Sequence, residues 1–337
     1  MRYLNFGINF LSLLSIMMSE LFDRLSYPLV LSLAIYLVYR FIVWVVLPLV
    51  FTCNSSQLGK KFNKSGKAWA VVTGTTSGIG VGFSRSLVRS GFNLMMIARN
   101  ETRLKELKNE LMKEKKLSGQ KIEFFVVDLG TRVLSENVTH FIANNEVSIL
   151  INNAGLNTEY PKMLVDNSFD EVRSIIDVNC QALVGLTRAI LPGMVSRKNG
   201  CVINISSLFG QIGAPLLSVY SGTKSFIDSF SASLGSELSG SGVSVFCSLP
   251  GFVVSNMSKI RRTSLTVISA DACAETVLGQ AAGGWLTSAA PHWTHSLIGW
   301  LLMDLVPERI RMRILKRVNV GTNRAALKKI ERVQKQA

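Results

Sequence analysis

Ser207, Tyr220 and Lys224 stand thirteen and then four positions apart in "SLFGQIGAPLLSVYSGTK", residues 207–224. A hydroxyl, a phenol and an ammonium with this spacing could meet at one reactive carbonyl, or they could mark a loop entering a helix. Four residues is one helical turn, and on a surface that spacing commonly gives no more than a solvated aromatic beside a solvated ammonium. The choice between the two depends on what the rest of the chain supplies to position them.

Six short apolar runs alternate with helical periods upstream and downstream of this stretch. "AWAVVTG" at 68–74, "FNLMMIA" at 92–98, "IEFFVVD" at 122–128, "VSILINN" at 147–153, "GCVINISS" at 200–207 and "VSVFCSLP" at 243–250 read as buried parallel strands. "GVGFSRSLVRS" and "NETRLKELKNELMKEKK" read as crossover helices between them. Repeated strand, helix, strand units predict an α/β fold: a Rossmann-type doubly wound parallel sheet, here preceded by an N-terminal membrane anchor.

Ligands of such sheets bind beyond the carboxyl ends of the strands. The first run leads directly into "TGTTSGIG", with Gly74, Gly78 and Gly80 where a dinucleotide pyrophosphate would approach the backbone and the next helix N-terminus. Glycines alone also suit any tight strand-to-helix turn. The second run ends in Ala98-Arg99 rather than in the acid that accepts from an adenosine ribose hydroxyl, which favours a 2′-phosphate and hence NADPH. Asp128 ends the third run, "NNAG" at 152–155 the fourth, Ser207 the fifth and Pro250-Gly251 the sixth, all on one rim.

With T-G-x-x-x-G-I-G at 73–80, N-N-A-G, Asn179, Ser207 and the Tyr220/Lys224 pair in this order, the chain resembles a membrane-bound member of the short-chain dehydrogenase/reductase family over about residues 67–260. Within that family it is most similar to the microsomal very-long-chain 3-oxoacyl-CoA reductases and their relatives among the 17β-hydroxysteroid dehydrogenases. The hydrophobic amino terminus, "PLLSVYSGTKSF" and an apolar, then basic, carboxyl end from 297 carry that second likeness.

The resemblance implies that Ser207, Tyr220 and Lys224 converge on the reacting carbonyl, with Tyr220 the acid in reduction and the base in oxidation. A free phenol with a pKa of about 10 ionises reluctantly at neutral pH, so Lys224 is expected to lower it and also to bind the nicotinamide ribose. Ser207 is expected to hydrogen-bond the substrate oxygen and Asn179 to hold a water of the proton relay. By the same resemblance Gly74, Ser77, Gly78, Ile79 and Gly80 hold the phosphates, and Arg99 meets the 2′-phosphate. Asp128 and Leu129 flank the adenine, Asn153 and Ala154 line the cofactor groove, and Pro250, Gly251 and Val253 face the nicotinamide amide. Many relatives carry threonine shortly after Pro-Gly, where this chain has "PGFVVSNM", with Ser255 as the nearest hydroxyl.

The implied reaction is NADPH-dependent reduction of a long-chain 3-oxoacyl-CoA to the 3-hydroxyacyl-CoA in fatty-acid elongation. A steroid or retinoid dehydrogenase would use the same tetrad, and a non-catalytic membrane scaffold is the reading from outside enzymology. Lys259, Arg261 and Arg262 in "SKIRR" are available to CoA phosphates, or are a solvated basic loop. Expected partners are the acyl-CoA and a membrane, with an elongation complex and a homodimer as further possibilities.

Composition agrees with a membrane neighbour. Of 337 residues 48% are hydrophobic, and the net charge is +15, yet residues 307–337 hold ten Lys/Arg against Glu308 and Glu331. That basic segment lacks stacking aromatics and follows an apolar run, so an anionic membrane surface suits it better than nucleic acid. Residues 3–19 and 27–51 are apolar, separated by "ELFDRLS", and the second run is long enough to span a bilayer. Arg40 interrupts it, at a cost of about 2.5–3.5 kcal/mol for a central arginine. Five widely spaced cysteines read as reduced thiols, and no His/Cys spacing suggests zinc; His292 and His295 read as surface or interfacial. The expected layout is an anchor at 1–52, a linker at 53–66, a dinucleotide-binding catalytic domain at 67–290 and a membrane-contacting extension at 291–337. The reduced thiols favour a catalytic domain facing the cytosol from the endoplasmic reticulum membrane, and the Asn204-Ile205-Ser206 sequon, inside a predicted buried strand, is weak evidence for the lumen.

Overall fold

The six apolar runs form strands β1 (Trp69–Thr73), β2 (Asn93–Ala98), β3 (Ile122–Val126), β4 (Val147–Asn152), β5 (Gly200–Ile205) and β6 (Val243–Ser248) in a computed structural model. It describes residues 5–131 and 135–334, so Tyr3, Leu4 and Lys335 of the terminal stretches discussed above lie outside the described residues. Three two-residue strands, β7 (Phe252–Val253), β8 (Val267–Ile268) and β9 (Ser288–Ala289), are too short to show any periodicity in the sequence. The main sheet has the order β3-β2-β1-β4-β5-β6-β9 and every pairing in it is parallel.

Strand residues alternate between two apolar layers, as a pleated sheet covered on both faces requires. Val72, Met96, Ile151 and Ile203 pack with Phe83 and Leu87 of the Ile79–Arg89 helix and Val277 and Leu278 of the Ala270–Gly283 helix. Val71, Met95, Leu150 and Val202 pack with Leu186 and Ile190 of the Ala182–Ser196 helix and Leu234 of the Ser218–Glu237 helix. Each such side chain contributes about 1.5–3 kcal/mol by leaving water. The order reverses at β1, which pairs with β2 on one side and β4 on the other, opening a crevice beyond their carboxyl ends.

A buried amide chain crosses the second layer beneath that crevice. Asn152 Nδ2 donates to Asn204 Oδ1 (2.8 Å) and to Thr187 Oγ1 (3.0 Å), and Asn204 Nδ2 donates to Ser231 Oγ (2.9 Å). These bonds tie β4 and β5 to the Ala182–Ser196 and Ser218–Glu237 helices, which fixes where the latter helix can stand.

At the amino end, Asn5–Phe41 is one helix that runs through "ELFDRLS", continues in a π-helical turn (Ile42–Val46) and ends with Leu47–Val50. Two segments are long and apolar enough to cross a membrane among the described residues, Ser26–Val50 and Phe169–Arg197. Nearly half of the second is buried, and it flanks the sheet; the first is almost wholly exposed. Residues 27–39 are exposed apart from Leu37, whereas 41–48 are half-buried or buried apart from Ile42. At the other end Trp293–Trp300, a π-helical turn (Leu301–Leu305) and the basic helix Glu308–Gln334 pack along the crevice.

Replacing Asn204 with alanine should lower stability by about 1–3 kcal/mol, because Asn152 and Ser231 each lose a buried partner. A urea midpoint unchanged from wild type, at equal slope, would refute the role given to this chain.

Candidate active site

Glycine conformations shape the phosphate end of the crevice. Gly74 has φ +69°, and a Cβ there would lie 2.9 Å from Ala154 Cα; a Cβ on Gly80 would lie 2.2 Å from Gly74 O. Gly78, at φ +58°, precedes the Ile79–Arg89 helix, which has no side-chain cap and no acid in its first turn. Its free N–H groups, and the buried Thr75 Oγ1 that has no partner among the described residues, form a cradle suited to a pyrophosphate. Asn153 holds the cradle from β4: its Nδ2 donates to Thr73 O (2.9 Å) and Gly74 O (3.2 Å). Thr73 Oγ1 accepts from the N–H groups of Asn153 (3.0 Å) and Ala154 (2.9 Å).

A cavity of about 700 Å³ extends from this cradle along the rim. Ser77, Ile79, Arg99, Asp128 and Leu129 line its wall with Gly74 and Gly78, and so do Asn153, Ala154, Pro250, Gly251 and Val253. Arg99 is exposed and has no ion pair among the described residues, leaving its guanidinium free for an anion. Asp128 Oδ1 accepts from Gly130 N–H at 2.9 Å. Gly80 lies behind the lining, against Gly74.

Ser207, Tyr220 and Lys224 line the same cavity, brought together because Ser207 follows two residues after the end of β5, capping the Leu208–Ile212 helix, and the Ser218–Glu237 helix runs back across that end. Lys224 Nζ donates to Ile205 O (2.8 Å), Ser206 Oγ donates to Lys224 O (2.8 Å), and the ammonium lies 5.6 Å from the Tyr220 ring centroid. Asn179 stands one layer back in a π-helical turn, Asp177–Gln181. Its Oδ1 accepts from Leu156 N–H (2.7 Å), and its Nδ2 donates to Leu156 O (3.0 Å) and Thr223 Oγ1 (2.9 Å). Its side chain therefore fixes the loop after N-N-A-G and the helix that carries Tyr220.

Burial governs the charges. It pushes the Tyr220 phenol above its ordinary range, with the Ser207 hydroxyl pulling the other way, which is opposite to the lowering expected beside Lys224. The same burial brings Lys224 from 10.5 to about 8, against the pull of nearby groups including Asp228. At neutral pH the pair is a neutral phenol beside a charged ammonium, the state a proton donor requires.

Two wall residues lie outside the set of site residues expected from the sequence. Ser255 faces the cradle, its Cβ 2.9 Å from where a Cβ on Gly78 would stand, so the loop after Pro250-Gly251 folds over the phosphate site. His295, read as surface or interfacial, is 1% exposed and lines the cavity. Its Nδ1 accepts from Gly251 N–H (3.2 Å), which leaves Nε2–H to donate to Thr266 O (3.2 Å). Burial lowers its pKa and keeps it neutral in that tautomer. Of the three basic residues in "SKIRR" only Lys259 lines the cavity, 3.6 Å from Glu159.

Residues 68–265 match the family model described as short chain dehydrogenase. The chain belongs to that family. It is 34% identical over 285 residues to a Coprinopsis cinerea protein named very-long-chain 3-oxoacyl-CoA reductase, covering 82% of this chain and 83% of the relative. A Homo sapiens protein of the same name is 32% identical over 266 residues, 78% of this chain and 83% of its own. A short-chain dehydrogenase from Sphingobium yanoikuyae, solved in complex with NADPH, superposes with a TM-score of 0.58 at 28% identity, over 66% of this chain and 87% of its own. This short-chain dehydrogenase is thus an oxidoreductase acting on a carbonyl/hydroxyl pair with a nicotinamide cofactor.

Lys224 gives a pH signature. Its folded pKa lies below the unfolded one, so between about pH 8 and 10.5 the unfolded chain binds more protons and this group's contribution to stability rises with pH. Melting temperatures of the cofactor-free protein should therefore climb across that window relative to Lys224→Met. Parallel curves for the two proteins would contradict the depressed pKa.

Proposed function

We propose that the chain reduces long-chain 3-oxoacyl-CoA thioesters to 3-hydroxyacyl-CoA with NADPH, as a step of fatty-acid elongation. The observation that carries this reading is the cavity's far end. Beyond Ser207 and Tyr220 its wall is mainly apolar, with Leu208, Phe209, Ile212, Leu217, Leu302, Leu315 and Val318 against the polar Asn319 and Thr322, which suits an alkyl chain. Each methylene buried there contributes about 0.8 kcal/mol. The names of the relatives above favour the same substrate class.

In this mechanism Ser207 Oγ donates to the 3-oxo oxygen and holds it beside the Tyr220 hydroxyl. Tyr220 gives its proton to that oxygen as negative charge develops, and the Lys224 ammonium stabilises the phenolate left behind. The bound nicotinamide supplies the hydride. Asn179 keeps the Tyr220 helix and the 156 loop in register, and a water on this side would return the proton from solvent. Arg99 pairs with the 2′-phosphate, and Lys259 offers a charge to the CoA phosphates.

Membrane attachment completes the reading. The exposed apolar part of Ser26–Val50 anchors the enzyme in the endoplasmic reticulum membrane with the catalytic body toward the cytosol. The cations of Glu308–Gln334, with exposed Ile310 and Ile314, rest on the anionic leaflet. A homodimer and an elongation complex are the assemblies this placement would serve.

Tyr220→Phe should keep NADPH binding and lose turnover by about 100-fold or more; near-normal turnover would remove Tyr220 from the mechanism. Ala98→Asp with Arg99→Leu should shift preference toward NADH, since a charge-assisted contact worth about 1.5–3 kcal/mol is lost. Equal use of NADH and NADPH by wild type would defeat that assignment. Screening membrane-embedded protein against 3-oxoacyl-CoAs, oestrone and retinal decides the substrate, and efficient oestrone reduction without thioester turnover would replace the acyl-CoA reading by a steroid one.

A further inference from the structure

Arg40, the charge that interrupts the apolar amino-terminal run, is paired. Its Nε donates to Asp304 Oδ1 at 2.9 Å, and its guanidinium carbon lies 5.9 Å from the Trp44 ring centroid. The Asp304 side chain is 5% exposed and its Oδ2 has no partner among the described residues, so the carboxylate depends on Arg40 for compensation. Aromatic packing surrounds the pair: Phe41 meets Trp300 edge to face at 5.1 Å, and Trp44 packs over Gly299.

Asp304 belongs to the π-helical turn Leu301–Leu305, whose Leu302 lines the far end of the cavity. Leu302 O accepts from Arg311 Nη1 at 3.0 Å, which joins the turn to the helix that supplies Leu315 and Val318. Arg40 also marks the seam of its own helix, exposed apolar residues before it and packed ones after it. One ion pair thus connects the segment that would lie in a bilayer to the wall that would hold an alkyl chain.

We propose that Arg40 and Asp304 are a positioning pair for long acyl chains, an inference that rests on the long-chain thioester reading. They fix the Leu301–Leu305 turn against the amino-terminal helix, so that the apolar end of the cavity stands beside the segment entering the membrane. Without Arg40 the buried Asp304 carboxylate is uncompensated and turns toward water. Asp304 and Leu302 share one turn, Leu301–Leu305, so such a pull draws Leu302 out of the wall.

The test uses the full-length chain in lipid nanodiscs, with Arg40→Gln, Asp304→Asn and the exchanged pair Arg40→Asp/Asp304→Arg. Both single variants should raise KM for 3-oxopalmitoyl-CoA by about tenfold, leave KM for acetoacetyl-CoA and for NADPH within about twofold, and change kcat little, with the exchanged pair recovering most of the loss. Equal effects on both thioesters, or none on either, would overturn the proposal. Amide hydrogen exchange over residues 297–311 tests the hold on the turn without substrate: faster exchange in the single variants and recovery in the exchanged pair support the proposal, and unchanged exchange overturns it. If wild type reduces neither thioester, the substrate reading and the acyl-chain role fall together, and exchange then reports only whether the pair holds the turn.

Discussion

A lysine ammonium held away from water between a strand end and a helix is the constraint around which the catalytic half is arranged. Lys224 reaches across to Ile205 O while Ser206 Oγ reaches back to Lys224 O, so β5 and the Ser218–Glu237 helix are cross-tied beside Ser207 and Tyr220. That tie demands a helix passing close over the end of β5. The Asn152–Asn204–Ser231 chain sets its depth from the sheet side, and Asn179 sets its position from the other flank through Thr223. Polar groups buried this way are expensive to leave unpaired, so each bond excludes neighbouring packings as much as it stabilises this one.

The electrostatic outcome differs from the simplest expectation in an instructive way. A positive charge near a phenol lowers its pKa only if the charge itself is stable there, and burial works against both partners. The result is an acid that keeps its proton at neutral pH beside a cation close to its own titration range. Such an arrangement suits reduction, in which the phenol gives up its proton only as the oxygen becomes basic.

Much of this was legible in the sequence, for identifiable reasons. Strands buried on both faces must be continuously apolar, so β1, β2, β4, β5 and β6 announce themselves, and a turn requiring φ > 0 at Gly74 and Gly78 leaves glycines at fixed spacing. Asp128, Asn153, Ser207 and Pro250 follow from strand ends, whereas Tyr220 and Lys224 stand on the Ser218–Glu237 helix. Less legible were parts whose meaning depends on distant partners. His295 looks like a surface histidine until Gly251 and Thr266 bracket it, and Ser255 gains its place only when its loop folds onto the cradle. Asn319 and Asn323 of the basic helix, which the sequence analysis did not single out, donate to Pro215 O and Pro161 O, both at 2.7 Å, and seat that helix along the cavity. Hydropathy could flag Arg40 as an anomaly but could not find Asp304, which lies 264 residues away.

The packing of residues 41–53 on the body changes where the chain can be cut. Cys53 N–H donates to Gly279 O at 3.2 Å, Trp44 covers Gly299, and Val45 and Pro48 are buried. Starting the chain at the linker, where hydropathy alone would place the boundary, would strip this layer away and expose apolar surface on the catalytic body. A soluble form should instead retain the helix from about residue 40 and discard only the exposed apolar residues ahead of it. The apolar helix and the catalytic body overlap by some three helical turns, and the usable boundary lies inside the helix rather than after it.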